Sequence, residues 1–202
     1  MKSKRLLVIA ILGGLMLIGA TAFIGGRLLI PYEFHGAILQ SPIPAQNFSL
    51  MSHMGQRIAL NDYRGKFVLI YFGYTVCPDV CPTTLAEIHT ALKLIGKDRD
   101  QVQVMMVTID PERDTLPVLA DYMTQFDPAF IGLRGTAEET AQVATQFGIF
   151  YERAESDSAL GYLMNHTATV MVIDRKGFLR MVFPYGTAAQ NMADDLSYLM
   201  WR

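Results

Sequence analysis

An unbroken apolar run, Phe67-Val68-Leu69-Ile70-Tyr71-Phe72, leads straight into Gly73-Tyr74-Thr75-Val76-Cys77-Pro78-Asp79-Val80-Cys81-Pro82. A strand with no apolar/polar alternation needs cover on both faces, which a layered α/β domain supplies and a one-sided sheet does not. The same strand delivers both of the chain's 2 cysteines to its carboxyl end, where an α/β fold places its chemistry. Four residues apart, Cys77 and Cys81 act as one unit, either a reversible dithiol or two soft ligands on one metal. A static bridge across so short a loop would remove little unfolded-state entropy and makes a poor structural staple.

The rest of the chain alternates strands and helices. Leu85, Ile88, Leu92 and Ile95 recur at helical spacing up to Gly96, with Pro82 as the opening residue of that helix and Cys81 on the irregular turn before it. Val102 to Ile109 is a second buried strand, closed by Asp110-Pro111-Glu112-Arg113-Asp114. Leu116 to Phe126 reads as a helix opened by Pro117, Phe130 to Leu133 as a short strand, and Thr136 with Glu139 as the capping box of a helix reaching Phe147. Ala168 to Ile173 and Phe178 to Phe183 are strands joined by a turn at Arg175-Lys176-Gly177. Thr187 with Gln190 forms a second capping box for a last helix carrying Met192, Leu196 and Leu199. Upstream, Asn47 to Leu50 and Arg57 to Leu60 flank Gly55 as an edge hairpin. This order predicts a thioredoxin-like α/β domain over residues 46–202, with a central mixed sheet flanked by helices.

Lys2, Lys4 and Arg5 precede Leu6 to Ile24, which carries no charge and is close to the roughly 20 residues that cross a hydrocarbon core. The expected organisation is a cytoplasmic tip at 1–5, one transmembrane anchor at 6–24 (reaching 30 at most), and a linker at 31–45 punctuated by Pro31, Pro42 and Pro44. Ala20-Thr21-Ala22 offers a competing signal-peptide cleavage site, but the apolar run outlasts the roughly 7–15 residues of a signal core. The simplest setting is a single-pass protein of a bacterial inner membrane with its domain in the periplasm. Vicinal thiols there need a reductant or a metal to stay functional. A net charge of −2 leaves no basic footprint for nucleic acid.

A helix start beside the sulfurs favours thiolate over thiol. The Cys-x-x-x-Cys loop is one residue wider than the usual redox Cys-x-x-Cys, and two thiolates at that spread suit Cu(I). His166, in Met164-Asn165-His166-Thr167-Ala168-Thr169, is the candidate third ligand. The loop entering that strand of a thioredoxin-like fold faces the cysteine turn and ordinarily carries a cis proline; here no proline stands between 129 and 183. The alternative keeps Cys77 and Cys81 as a redox-active disulfide, with His166 tuning the thiolate. A thiol peroxidase is disfavoured, because its Pro-x-x-x-Thr/Ser-x-x-Cys pattern is missing. Asp79, Asp110 and Asp114 are candidates for shaping the site or docking a partner, and Asp110-Pro111 also suits a strand-ending turn. Met51, His53 and Met54 form a small soft-ligand cluster that either passes copper or is a coincidence in a chain with 12 methionines, and Met164 is a further ligand or a packing residue. His35 and His89 receive no role, and Tyr71, Phe72, Tyr74 and Tyr162 are expected to wall the site.

The segment Phe72 to Pro82 resembles the signature of the Sco/SenC copper-binding proteins. Thr108-Ile109-Asp110-Pro111-Glu112-Arg113-Asp114 and Asn165-His166-Thr167-Ala168 with Val172-Ile173-Asp174 resemble two further blocks of that family, in the same order. The resemblance covers about residues 46–202, and an N-terminal anchor is typical too. It implies copper, as Cu(I), Cu(II) or both, held at the positions of Cys77, Cys81 and His166. It also implies a metallochaperone, with thiol-disulfide reductase activity left open beside it, which helps build the binuclear copper centre of cytochrome c oxidase subunit II. A periplasmic copper donor or thiol reductant would be a further partner. The chain departs from the pattern at Asn165, where the family often has Asp, and at Leu50 to Gly55, where an Asp-rich turn is usual.

Overall fold

The computed structural model describes residues 12–16, 19, 31–156 and 161–201. The chain divides into two units, Met1–Glu33 and Phe34–Arg202. Residues 12–16 and 19 are helical, but most of the expected span at 6–24 lies outside the described residues. Among those described, no helix is long and apolar enough to cross a membrane.

The second unit is built on an eight-stranded mixed sheet and a separate two-stranded one. The strands are β1 (Ala37–Pro44), β2 (Ser49–Ser52), β3 (Arg57–Ala59), β4 (Phe67–Gly73), β5 (Val102–Thr108), β6 (Ile131–Arg134), β7 (Tyr151–Glu155), β8 (Tyr162–His166), β9 (Val170–Ile173) and β10 (Phe178–Phe183). The helices are α1 (Val80–Ile95), α2 (Leu116–Thr124), α3 (Ala137–Gln146) and α4 (Ala189–Met200). The main sheet runs β1-β10-β9-β4-β5-β6-β2-β3. The β4–β5 and β5–β6 pairs are parallel and β9 is antiparallel to β4. Every residue of β4 is buried, as its uninterrupted apolar sequence requires of a central strand covered on both faces. Helix α1 buries Cys81, Leu85, Ile88 and Leu92 along one stripe and packs against α4, while α2 packs on β6.

The expected edge hairpin forms, with Leu50 opposite Ile58 and Gly55 in the turn at φ +80°. The β9–β10 hairpin also forms. Thr136 and Glu139 close a capping box at α3, with Oγ1 of Thr136 accepting from Glu139 N at 3.2 Å. Three expectations are corrected. Residues 37–44, read as linker, form an edge strand antiparallel to β10; an edge tolerates Pro42 and Pro44 because the missing N–H can face away from the ladder. Helix α1 starts at Val80 rather than Pro82, which puts Cys81 inside the first turn. The first four N–H groups of a helix have no intrahelical partner, so Pro82 fits there without loss. The start of α4 is not capped by Thr187, whose hydroxyl donates to Pro184 O at 2.8 Å. Glu87 of α1 accepts from Ala189 N at 2.7 Å instead.

Candidate functional site

The cysteine loop sits where β4 ends and α1 begins, and its shape is held from β5 and the segment that follows. Thr75 N donates to Asp114 Oδ2 at 3.1 Å, Thr75 Oγ1 donates to Asp114 Oδ1 at 2.6 Å, and Thr108 Oγ1 donates to Asp114 Oδ2. Asp114 is fully buried, and burial pushes its carboxyl above the usual range while these bonds oppose the rise. Gly73 leaves room for the sulfur: a Cβ there would lie 3.1 Å from Cys81 Sγ and 2.6 Å from Tyr71 Cε1.

Cys81 is fully buried and Cys77 half-buried, and both are free thiols. Cys81 N donates to Cys77 Sγ at 3.4 Å. Cys81 Sγ lies 3.5 Å from His166 Nε2, across 85 positions of sequence. His166 Nδ1 lies 3.3 Å from the carbonyl oxygen of Thr167. A carbonyl can only accept, so Nδ1 carries the proton and Nε2 turns its lone pair to the sulfur. The rings of Tyr71 and Tyr74 stand edge-to-face on the imidazole, each with centroids 6.1 Å away. Burial pushes the Tyr74 hydroxyl up to about 12 and raises that of Tyr71 as well, so both stay protonated.

The two sulfurs divide one proton. The hydrogen bond from Cys81 is the main cause that lowers Cys77 to about 3, with burial opposing it. The same bond, then burial, pushes Cys81 up. Cys77 is therefore the thiolate and Cys81 the thiol at neutral pH. The outcome is measurable in the reduced protein. Alkylation of an ordinary thiol speeds up roughly 80-fold from pH 6 to pH 8 as the thiolate fraction grows. At Cys77 the change is expected to stay below about threefold, because a lowered pKa leaves thiolate present throughout that window. Peptide mapping that found Cys81 labelled first would refute the assignment.

No three His, Cys, Asp or Glu side chains among the described residues already stand in ligating positions. Cys77 and Cys81 instead share a proton in a hydrogen bond, with His166 Nε2 3.5 Å from Cys81 Sγ. Two sulfurs and one neutral imidazole nitrogen are a soft donor set that fits copper, above all Cu(I). A cavity of about 280 Å³ opens beside them, lined by Tyr74, Cys77, Pro78, Val80, Met164 and His166.

The other candidates separate cleanly. Asp79 is exposed at the start of α1, where it lines the same cavity and its carbonyl accepts from Thr83 N at 3.1 Å. Asp110 is buried, ion-paired to Arg113, and accepts from the Tyr162 hydroxyl at 2.8 Å. The Asp110 and Asp114 carboxylates thus tie the hairpin before β9 and the cysteine loop to one segment. Asn165 lines the same cavity and donates to Glu152 Oε1 at 3.3 Å. Phe72 is not a wall of the site. Strand alternation sends it to the other face, where its ring lies 6.0 Å from Phe147. His53 Nδ1 accepts from Gly132 N at 3.0 Å, which removes it from the Met51–Met54 cluster as a ready ligand. Met164 packs against the core, and His89 pairs with Asp127. Sequence reasoning missed Thr75, Thr108 and Arg153, and the β7–β8 hairpin itself; the only signal for the hairpin was Gly161 between two short stretches opened by Tyr151 and Tyr162.

Residues 38–200 match the SCO1/SenC family. The chain is 31% identical over 162 residues to the mitochondrial SCO2 homolog of Bos taurus, a match covering 79% of this chain and 61% of that protein. In structure it is similar to apo Sco1 of Thermus thermophilus, with a TM-score of 0.75 and 36% identity over 83% of this chain and 98% of that one. It is also similar to Bradyrhizobium japonicum ScoI with copper bound, with a TM-score of 0.69 and 37% identity over 77% and 98% of the two chains. The Sco family is one of cytochrome c oxidase assembly proteins, and relatives from plant, bacterium and yeast have been solved with copper bound. With most of its length matched to the family and all three of its sequence blocks in place around one site, the chain belongs to the SCO1/SenC family.

Proposed function

We propose that this chain is a membrane-anchored copper metallochaperone whose cargo is held by Cys77, Cys81 and His166, and that it helps assemble the binuclear copper centre of cytochrome c oxidase subunit II. The supporting observation is the approach of His166 Nε2, its lone pair fixed toward the cysteine loop by the Thr167 carbonyl, to Cys81 Sγ at 3.5 Å. Copper, like the metal in the relatives' structures, is here a substrate to be passed on. Capture displaces the proton shared by the sulfurs. Release follows as thiolates of the target replace these ligands one at a time within the adjacent cavity. The domain would face the periplasm of a bacterial cell, carried by the anchor at 6–24 on a tether that ends before β1.

A second reading is favoured by the unequal cysteines. The half-buried Cys77 thiolate attacks a target disulfide and forms a mixed disulfide, releasing one target thiolate. Cys81 then gives up its proton and attacks Cys77, releasing the second thiolate and leaving a Cys77–Cys81 bridge. Two electrons pass to the target, and an external thiol reductant restores the pair.

One experiment separates them. Copper-loaded full chain is mixed with the reduced, metal-free soluble domain of subunit II. The expected result is loss of copper from this chain and the visible spectrum of the binuclear centre on the target. Copper that stays put, with metal-free protein reducing an oxidised target instead, would replace the first reading by the second.

A further inference from the structure

The strand that carries His166 stands outside the main sheet. β7 and β8 pair only with each other, with Tyr151 opposite His166 and Glu155 opposite Tyr162, so the eight-stranded ladder does not set the position of the imidazole. At the base of this hairpin Thr167 N donates to Phe150 O at 2.9 Å. At its far end the Tyr162 ring lies between two guanidinium groups, with Arg113 Cζ at 3.6 Å and Arg153 Cζ at 3.7 Å from its centroid. Arg113 Nη1 also donates to Tyr162 O at 2.9 Å, and the Tyr162 hydroxyl donates to Asp110. Arg113 is ion-paired to buried Asp110 and stands 5.9 Å from the centre of the Tyr74 ring, which packs on His166. A planar guanidinium can stack and hydrogen-bond at once, which an ammonium cannot.

We propose that Arg113 and Tyr162 form a clamp that positions His166. Clamped, the hairpin holds the imidazole against Cys81; unclamped, it swings on its base and leaves copper with two sulfurs. The clamp is a positioning device and touches no metal. This inference rests on the reading of His166 as a ligand.

The test uses the full chain in detergent and two variants. The double variant Asp110→Asn with Arg113→Gln removes both ion-pair partners together, so no buried charge is stranded. Tyr162→Phe keeps the stack and loses the bond to Asp110. In the metal-free double variant, amide exchange across Tyr151 to His166 is expected to quicken at least about 10-fold while β4 and β5 exchange as in the parent. Cu(II) affinity is expected to drop about 10-fold, in the range for lost outer support of a ligand, with weaker imidazole-nitrogen splitting in the electron paramagnetic spectrum. Cu(I) affinity, set mainly by the sulfurs, is expected to change less than about threefold. Tyr162→Phe falls between parent and double variant. Unchanged hairpin exchange overturns the clamp, and faster exchange throughout the domain reduces it to a general packing contact, which also overturns it. Faster hairpin exchange with unchanged Cu(II) affinity and nitrogen splitting overturns its role in positioning His166. If His166→Ala binds Cu(II) like the parent, the ligand reading fails instead, and the exchange data still judge the clamp.

Discussion

Replacing Cys77 or Cys81 by Ala in the full chain will abolish tight one-to-one copper binding, and His166→Ala will weaken Cu(II) binding by at least about 100-fold, beyond the loss of an outer partner. The three proposed donors come from a strand-to-helix loop and a separate hairpin, so removing one leaves the others in place but short of a closed set. The parent's Cu(I) affinity will also climb from pH 6 to pH 8. Cys77 is lowered and is already a thiolate there, whereas Cys81 is raised and must lose its proton to copper, so lower pH means stronger competition. Competitive titration against a chelator of known affinity reads both effects. Retained Cu(II) affinity in the histidine variant would remove His166 from the ligand set and leave the dithiol reading.

Asp114→Ala will be the most damaging change outside the proposed ligands. The carboxylate accepts from Thr75 N, Thr75 Oγ1 and Thr108 Oγ1, and truncation takes this partner from all three, Thr108 in a fully buried position and Thr75 in a part-buried one. Stranded donors of this kind cost about 3 kcal/mol together, which lowers Tm by about 6–12 °C in a domain of this size. Thr75 stands two residues before Cys77, so copper affinity falls as well. Asp114→Asn, which keeps one acceptor, loses less on both counts. Calorimetry and titration of the two variants check this. An Ala variant as stable as the parent would show that the loop is held by other contacts.

Much of the fold was legible because its signals are local. The apolar run in β4, the Thr136–Glu139 box and the turn at Arg175-Lys176-Gly177 each act within a few residues. Errors fell where a distant partner decides. Thr187 looked like the cap of α4, yet Glu87 of α1 takes that place. Pro42 and Pro44 looked like linker, yet β10 recruits them into an edge strand. The aspartates of the Asp110–Asp114 block carry no local sign of their distant partners, Tyr162 on Asp110 and Thr75 on Asp114.

Sequence by itself determined the type of chemistry: two cysteines on one tight loop after a buried strand, and a histidine ahead of another strand. These are matters of spacing along the chain. Tertiary structure alone decided that Cys81 and His166 meet at 3.5 Å, that the Thr167 carbonyl turns Nε2 toward the sulfur, and that Cys77 rather than Cys81 is the thiolate. It also decided that the histidine rides on a hairpin held at its far end by Arg113. Each depends on the order of strands in the sheet and on burial, which no local pattern of residues encodes.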